Sequence, residues 1–211
     1  MCERLQNLDE KFNKVLSFLK KEPSLLSSRG LDLDKDEDIK KLKDKFESQR
    51  NKTVLITTPT TVSDAAVLKI LAKSQGYDCE KLETIQEEHK LAMAAENKVG
   101  ELLEMYIAEK LEPKGWIWCS GSFVKAIDFI YPHDENSWDY LQIKNRDNTE
   151  NSSSSKIRDG SEIKKWFRLY SKKGTTNWDK FPVSGEGLDK VLNEEDFLKF
   201  VEKTIMHNNA E

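Results

Sequence analysis

Between residues 3 and 20 the chain holds Leu5, Leu8, Phe12, Val15, Leu16 and Leu19 among its apolar positions. Steps of three and four place them on one stripe, which predicts an amphipathic helix. Pro23 and the Ser27-Ser28-Arg29-Gly30 cluster stop it. Asp32 to Arg50 is rich in lysine and aspartate and keeps a thin stripe of Ile39, Leu42 and Phe46, so a second, more exposed helix is expected. Val54-Leu55-Ile56 reads as a short strand or an extended connector ended by Pro59. Ser63-Asp64 then caps a helix over Ala65–Lys73, with Val67, Leu68, Ile70 and Leu71 as its buried face and Gly76 as its end.

From Glu83 to Leu111 a helical pattern runs without proline. Val99, Leu102, Leu103, Tyr106, Ile107 and Leu111 form its apolar stripe. Gly100, Glu104 and Ala108 form a neighbouring stripe at every fourth residue, and Glu101 shares that side. Small residues above and below Glu104 let the helix pack closely with the carboxylate at the seam. A surface carboxylate beside Lys110 is the plain alternative.

The period then changes to two. Trp116–Cys119, Val124–Tyr131 and Trp138–Asn145 read as three strands with hairpin-length connections, so this part of the sheet should be antiparallel. Gly160 or Ser161 should cap a helix through Ile163 and Trp166, and Phe167–Tyr170 continues it or opens a strand. A closing helix is expected over Asp196–Met206. The fold class is α/β (α+β), with residues 1–80 a mostly helical region before a core at 81–211.

Composition narrows the chemistry. Charged residues make up 34% of the 211, yet the net charge is only −4, which excludes a globally basic nucleic-acid binder but not a locally basic surface. The three cysteines are scattered, with no CxxC, as suits a reducing cytoplasm rather than a zinc site or disulfide framework. No run approaches the roughly 18 apolar residues of a membrane span, and no signal peptide is visible. The tryptophans are assigned to packing and the three histidines to no role.

The chemistry concentrates between Asp128 and Lys144. In a strand, residues two apart share a face, so Gln142 and Lys144 point one way and Leu141 and Ile143 the other. Asp128, between Ile127 and Phe129, faces away from their side. Two adjacent strands would bring Asp128, Gln142 and Lys144 into one volume. A hard cation such as Mg²⁺ takes oxygen ligands, here Asp128, the Gln142 amide oxygen and the Ile143 carbonyl, with Glu104 as a further ligand directly or through water. Lys144 would contact the scissile phosphate and orient or help deprotonate the attacking water. With so few anionic ligands the requirement should be on the order of millimolar Mg²⁺. A cross-strand ion pair of Asp128 with Lys144 fits the same spacing.

These residues resemble the PD-(D/E)xK nuclease superfamily over Lys98–Arg146: a helix with a glutamate (Glu104), a hairpin with an aspartate (Asp128), then a strand with an acid-x-lysine pair. Gln142 stands where an acid is usual, a departure shared with Gln-x-Lys variants among type II restriction endonucleases, and one that leaves an inactive relative of the fold open. The resemblance implies a central mixed sheet flanked by helices. The segment Lys144–Ser155, followed by Lys164-Lys165-Trp166-Phe167-Arg168, is similar to restriction enzymes of the SinI type. That implies a homodimer cutting a short palindrome in double-stranded DNA, in a system with a cognate DNA methyltransferase.

Charge supports DNA independently. Residues 144–173 hold nine basic and four acidic side chains in a chain of negative net charge. Within a recognition segment at 145–175, Arg146, Asn148, Asn151 and Arg158 carry groups that read base edges, and Asn145 joins them in the expected DNA-binding set. Ser152, Ser153, Ser154, Lys156, Lys164, Lys165 and Arg168 suit phosphates and flanking contacts. Competing functions are a DNA repair or recombination nuclease and a non-catalytic DNA-binding protein of the same fold.

Overall fold

A helix of 33 residues, α4 (Cys79–Leu111), is the spine of the structure. The computed structural model describes residues 2–27, 30–57, 60, 62, 64–134, 137–148, 162–183 and 191–205, with side chains at the N-terminus from residue 7 onward. Before α4 come α1 (Cys2–Lys21), α2 (Asp36–Arg50) and α3 (Ala65–Gln75). After it come β1 (Ile117–Trp118), β2 (Phe129–Pro132), β3 (Trp138–Arg146), β4 (Lys164–Leu169) and α5 (Glu194–Thr204). The sheet order is β1-β2-β3-β4, antiparallel up to β3 and parallel between β3 and β4, so the sheet is mixed.

The sheet separates two cores. On one face, Leu102, Leu103, Tyr106 and Ile107 of α4 and Phe197 of α5 cover Trp118, Phe129, Leu141, Ile143 and Trp166. On the other, Phe12, Val15, Phe18 and Leu19 of α1 and Leu42 and Phe46 of α2 cover Ile117, Phe123, Ile127 and Ile130. The alternation along each strand assigns its residues to the two cores in turn. Helices α1 and α2 are therefore the second layer of the sheet rather than an appendage. The thin stripe of α2 is fully buried at Leu42 and Phe46.

Arg50 locks that layer in place. Its guanidinium pairs with Glu112 at 2.7 Å and donates to the Trp118 carbonyl at 2.6 Å and the Ser120 hydroxyl at 2.9 Å. It also lies 4.2 Å above the Phe46 ring. Glu112 takes a second cation, Lys11 of α1, at 2.7 Å.

Three expectations are corrected. Ile163–Trp166 does not form a helix; residues 164–169 are strand β4, paired with β3 from Leu141–Lys164 to Arg146–Leu169. The three-residue step from Ile163 to Trp166 suggested a helix, but alternate residues Trp166 and Arg168 are buried, the period of a strand. The strand expected from Val124 begins only at Phe129. Gly121, Ser122 and Ala126 have positive φ of 96°, 56° and 58°, which breaks an extended path. Lastly, α3 forms where expected, with Asp64 accepting from the Ala66 N–H at 2.8 Å and Gly76 left-handed at its end, but it buries none of its residues.

Candidate active site

Asp128 is delivered by a loop that the N-terminal layer holds. The N–H of Ser27 donates to Phe123 O at 2.8 Å, and that of Lys125 to Leu25 O at 2.7 Å. The Gly121 N–H donates to the Gln49 side chain of α2. A Cβ at Gly121 would stand 2.8 Å from the Phe123 ring and 3.0 Å from the Lys45 backbone, so glycine is required by space as well as by φ.

At the start of β2 the ladder is handed from backbone to side chain. The Asp128 N–H donates to Leu141 O at 2.9 Å, while its carboxylate Oδ2 accepts the Ile143 N–H at 2.6 Å. The N–H and C=O of one strand residue point to the same side. The Ile143 carbonyl is thus turned toward the Asp128 edge, as a ligand role would need. Asp128 immediately precedes β2, whose register starts with Phe129 paired to Leu141. Gln142, on β3, is buried at 1% exposure rather than set in an open wall.

Glu104 reaches the same end of the sheet from α4. Trp118 Nε1 donates to Glu104 Oε2 at 3.0 Å, which fixes the carboxylate across the β1 edge. Tryptophan at 118 was expected only to pack; it packs at 2% exposure and also positions Glu104. The available clue was that a buried indole N–H needs an acceptor. Burial pushes the Glu104 carboxyl well above the usual carboxylate range, the charge of Asp128 pushes it further, and the Trp118 bond and the Lys144 charge oppose this. Burial likewise raises Asp128, against the Ile143 N–H and Lys144. Lys144 therefore stands close enough to act on both acids, and Glu104, Asp128 and Lys144 form one electrostatic cluster. Glu101 is used otherwise. Burial raises its carboxyl, but bonds from Lys98 at 2.8 Å and Lys52 at 3.2 Å outweigh that and hold it below the usual range.

Two half-buried carboxylates, an amide and a carbonyl are hard oxygen donors, and the repulsion between the acids is what a divalent cation would relieve. The residues fit such an ion. Among the described residues no group of three or more His, Cys, Asp or Glu is placed to hold a metal ion.

The raised carboxyls set a pH dependence. A group whose folded pKa exceeds its unfolded value gives stability that is full below the unfolded pKa and lost as pH rises through the folded one. The metal-free protein should therefore melt lower as pH climbs from about 5 to about 8.5. Glu104→Gln, which keeps an acceptor for Trp118, should flatten that fall by about 3 °C or more. Millimolar-range Mg²⁺ should raise the wild-type melting temperature at the alkaline end and not that of the variant. Equal slopes for the two proteins in differential scanning fluorimetry would refute the coupling.

Glu104 opens onto a cleft of about 790 Å³ between α2, α4 and the 121–122 turn. Its walls include Lys45, Gln49, Lys52, Gly100 and Glu101. Gly100 was expected to let a neighbouring element pack close. Instead a Cβ there meets nothing within 4 Å, and the bare helix surface is cleft wall one turn above Glu104. Gly100→Ala should stabilise α4 by about 0.8 kcal/mol, the helix-propensity difference. Gly100→Leu should stay folded but cut turnover on DNA at least about tenfold by filling the cleft. Full activity of the leucine variant would show that substrate does not enter there.

The expected DNA-contacting residues divide. Asn145 and Arg168 are brought together with each other: Arg168 donates to Asn145 Oδ1 at 3.0 and 2.9 Å, pairs with Glu194 at 2.5 Å and is buried over Phe197. This joins β3, β4 and α5 through the two residues. Arg146 contacts Glu96 of α4 at 3.3 Å, and Lys164 contacts Asp139 at 3.7 Å. Asn148 is exposed on the turn after β3, and Lys165 is half-buried. Asn151, Ser152, Ser153, Ser154, Lys156 and Arg158 lie outside the described residues. Among the described residues no helix is long and apolar enough to cross a membrane.

The chain is similar to known restriction enzymes along most of its length. A family model described as SinI restriction endonuclease matches residues 2–207. The type II restriction enzyme SinI of Salmonella infantis is 50% identical over 201 residues, covering 92% of this chain and 86% of that protein. The type II restriction enzyme Eco47I of Escherichia coli is 61% identical over 151 residues, covering 71% of this chain and 65%, just under two thirds, of that protein's length.

Proposed function

The chain belongs to the SinI restriction endonuclease family, and from that premise we propose that it is a type II site-specific deoxyribonuclease acting as a homodimer. It hydrolyses one phosphodiester in each strand of a short palindromic DNA site, uses Mg²⁺ as its divalent ion, and works beside a cognate methyltransferase that protects host DNA. The observation that carries this reading is the meeting of Glu104, Asp128 and Lys144 where the β2–β3 ladder ends.

Asp128, Glu104, the Ile143 carbonyl and the Gln142 amide would hold the ion. When bound it polarises the phosphate and lowers the pKa of water beside it. The Ile143 N–H holds the Asp128 carboxylate in place at the end of the β2–β3 ladder. Trp118 does the same for Glu104. Lys144 holds a positive charge where the phosphate gains negative charge during attack, and it donates hydrogen bonds to the attacking water or the phosphate oxygen. The cleft beside Gly100 admits the sugar-phosphate strand. Arg146, Asn148 and Lys165, with Asn151, Ser152–Ser154, Lys156, Arg158 and Lys164, supply recognition and phosphate contacts; Asn145 and Arg168 hold the strands that present them.

Digestion of a long mixed-sequence DNA with and without Mg²⁺ tests this directly. Discrete fragments that need the ion, with one common sequence at their ends, are expected. A smear would favour a repair or recombination nuclease. Salt-dependent binding with no cleavage under any divalent ion would favour the non-catalytic reading.

A further inference from the structure

We infer that the hairpin of α3 and the first half of α4 is the surface on which a second copy of this chain docks. The inference deepens the proposed function, since it rests on that reading for its two-fold partner.

The hairpin stands apart from both cores. No residue of α3 is buried, and α4 has no buried residue before Ala94. Yet α3 is an apolar helix, and Val67, Ile70, Leu91 and Met93 are between 49% and 65% exposed. A groove of about 440 Å³ runs between the helices, lined by Val67, Leu68, Leu71, Ile85, His89 and Met93 among others. Eleven residues make an α-helix of about 16 Å, too short to persist in water without tertiary packing. The hairpin's own contacts leave half of its large apolar side chains in solvent, so its apolar surface calls for a cover.

Charge identifies the cover. Residues 65–75 carry Lys69 and Lys73 and no acid. Residues 79–90 carry Glu80, Glu83, Glu87 and Glu88 against Lys81 and Lys90. Each hairpin thus has a basic helix beside an acidic one, flanking an apolar groove. Two copies related by a two-fold axis would set α3 of each on α4 of the other, and each favourable pairing would occur twice. DNA is disfavoured as the occupant, because phosphates gain nothing from an apolar groove and are repelled by the acidic helix. Because α4 also carries Glu104, the same rigid helix would set the separation of the two active sites.

Sedimentation velocity on the full chain tests the surface. Wild type should sediment at twice the chain mass of 24.4 kDa. Val67→Glu with Met93→Glu places carboxylates at half-exposed groove positions that the monomer tolerates, and should raise the dimer dissociation constant at least about a hundredfold. Lys69→Glu with Lys73→Glu should also weaken the dimer, and adding Glu83→Lys with Glu88→Lys should restore it. That rescue holds even if the groove variants misfold, which circular dichroism would reveal. A wild type that stays monomeric with and without DNA, a dimer indifferent to folded groove variants, or a charge reversal without rescue would each overturn the proposal. Cleavage assays separate it from the nuclease reading: a dimer that breaks as expected but never cuts DNA keeps the surface and refutes the enzyme, whereas a cutting dimer untouched by these changes keeps the enzyme and refutes the surface.

Discussion

Lys144→Ala is expected to slow DNA cleavage by about 10³-fold, in the range of removing a positioned proton donor or a transition-state cation. Lys144 acts on two acids at once: its charge opposes the raised pKa of both Glu104 and Asp128. Without it the acids repel each other and the phosphate uncompensated, and the attacking water loses its orienting donor. The fold should survive, because Lys144 is half-buried at the end of β3 and the core on that strand is Leu141 and Ile143. A paired variant separates the roles. Asp128→Asn keeps an acceptor for the Ile143 N–H but loses the ligand charge, so both cleavage and the stabilisation by Mg²⁺ should vanish. Lys144→Ala should lose cleavage and keep the Mg²⁺-dependent rise in melting temperature. Single-turnover cleavage and thermal shifts measure the two. Cleavage by Lys144→Ala within tenfold of wild type would remove this residue from the mechanism.

Arg50→Ala should give the largest loss of stability, about 3–5 kcal/mol, the cost of breaking a buried ion pair from one side. Arg50 and Glu112 are 9% and 14% exposed at the side chain, so solvent screens the pair weakly. The same guanidinium also satisfies the Trp118 carbonyl and Ser120 and covers Phe46. In a chain of this size the change corresponds to roughly 10 °C in melting temperature. Arg50→Lys should recover little, since one ammonium cannot serve three acceptors in a fixed fork. Urea unfolding decides it: a loss below about 1 kcal/mol would mean that α2 is held by its apolar contacts alone.

Local pattern was enough for most elements. The period of 3.6 in α1, α2 and α4, the Asp64 cap and Gly76 stop of α3, and the period of two in β1 and β3 come from neighbours within a few residues, and such neighbours are legible in a linear chain. The two acids and the lysine were legible for the same reason: a charge inside an otherwise apolar strand, and a glutamate on the seam of a helix, are local anomalies. Strand β4 was not, because a parallel strand has no turn to announce it and its pairing spans the 147–163 connection.

By itself the sequence determined most of the helices and the antiparallel half of the sheet, and it singled out Glu104, Asp128 and Lys144 as candidates, since each depends on spacing along the chain. Only the tertiary structure decided what each side chain touches. It turned Arg168 and Asn145 inward onto Glu194, made Trp118 the anchor of Glu104, left Gly100 bare on a cleft, and stranded the apolar face of α3 in solvent. Each of those outcomes depends on what lies opposite a residue in space, and opposition across a fold involves partners tens of residues away that no local period encodes.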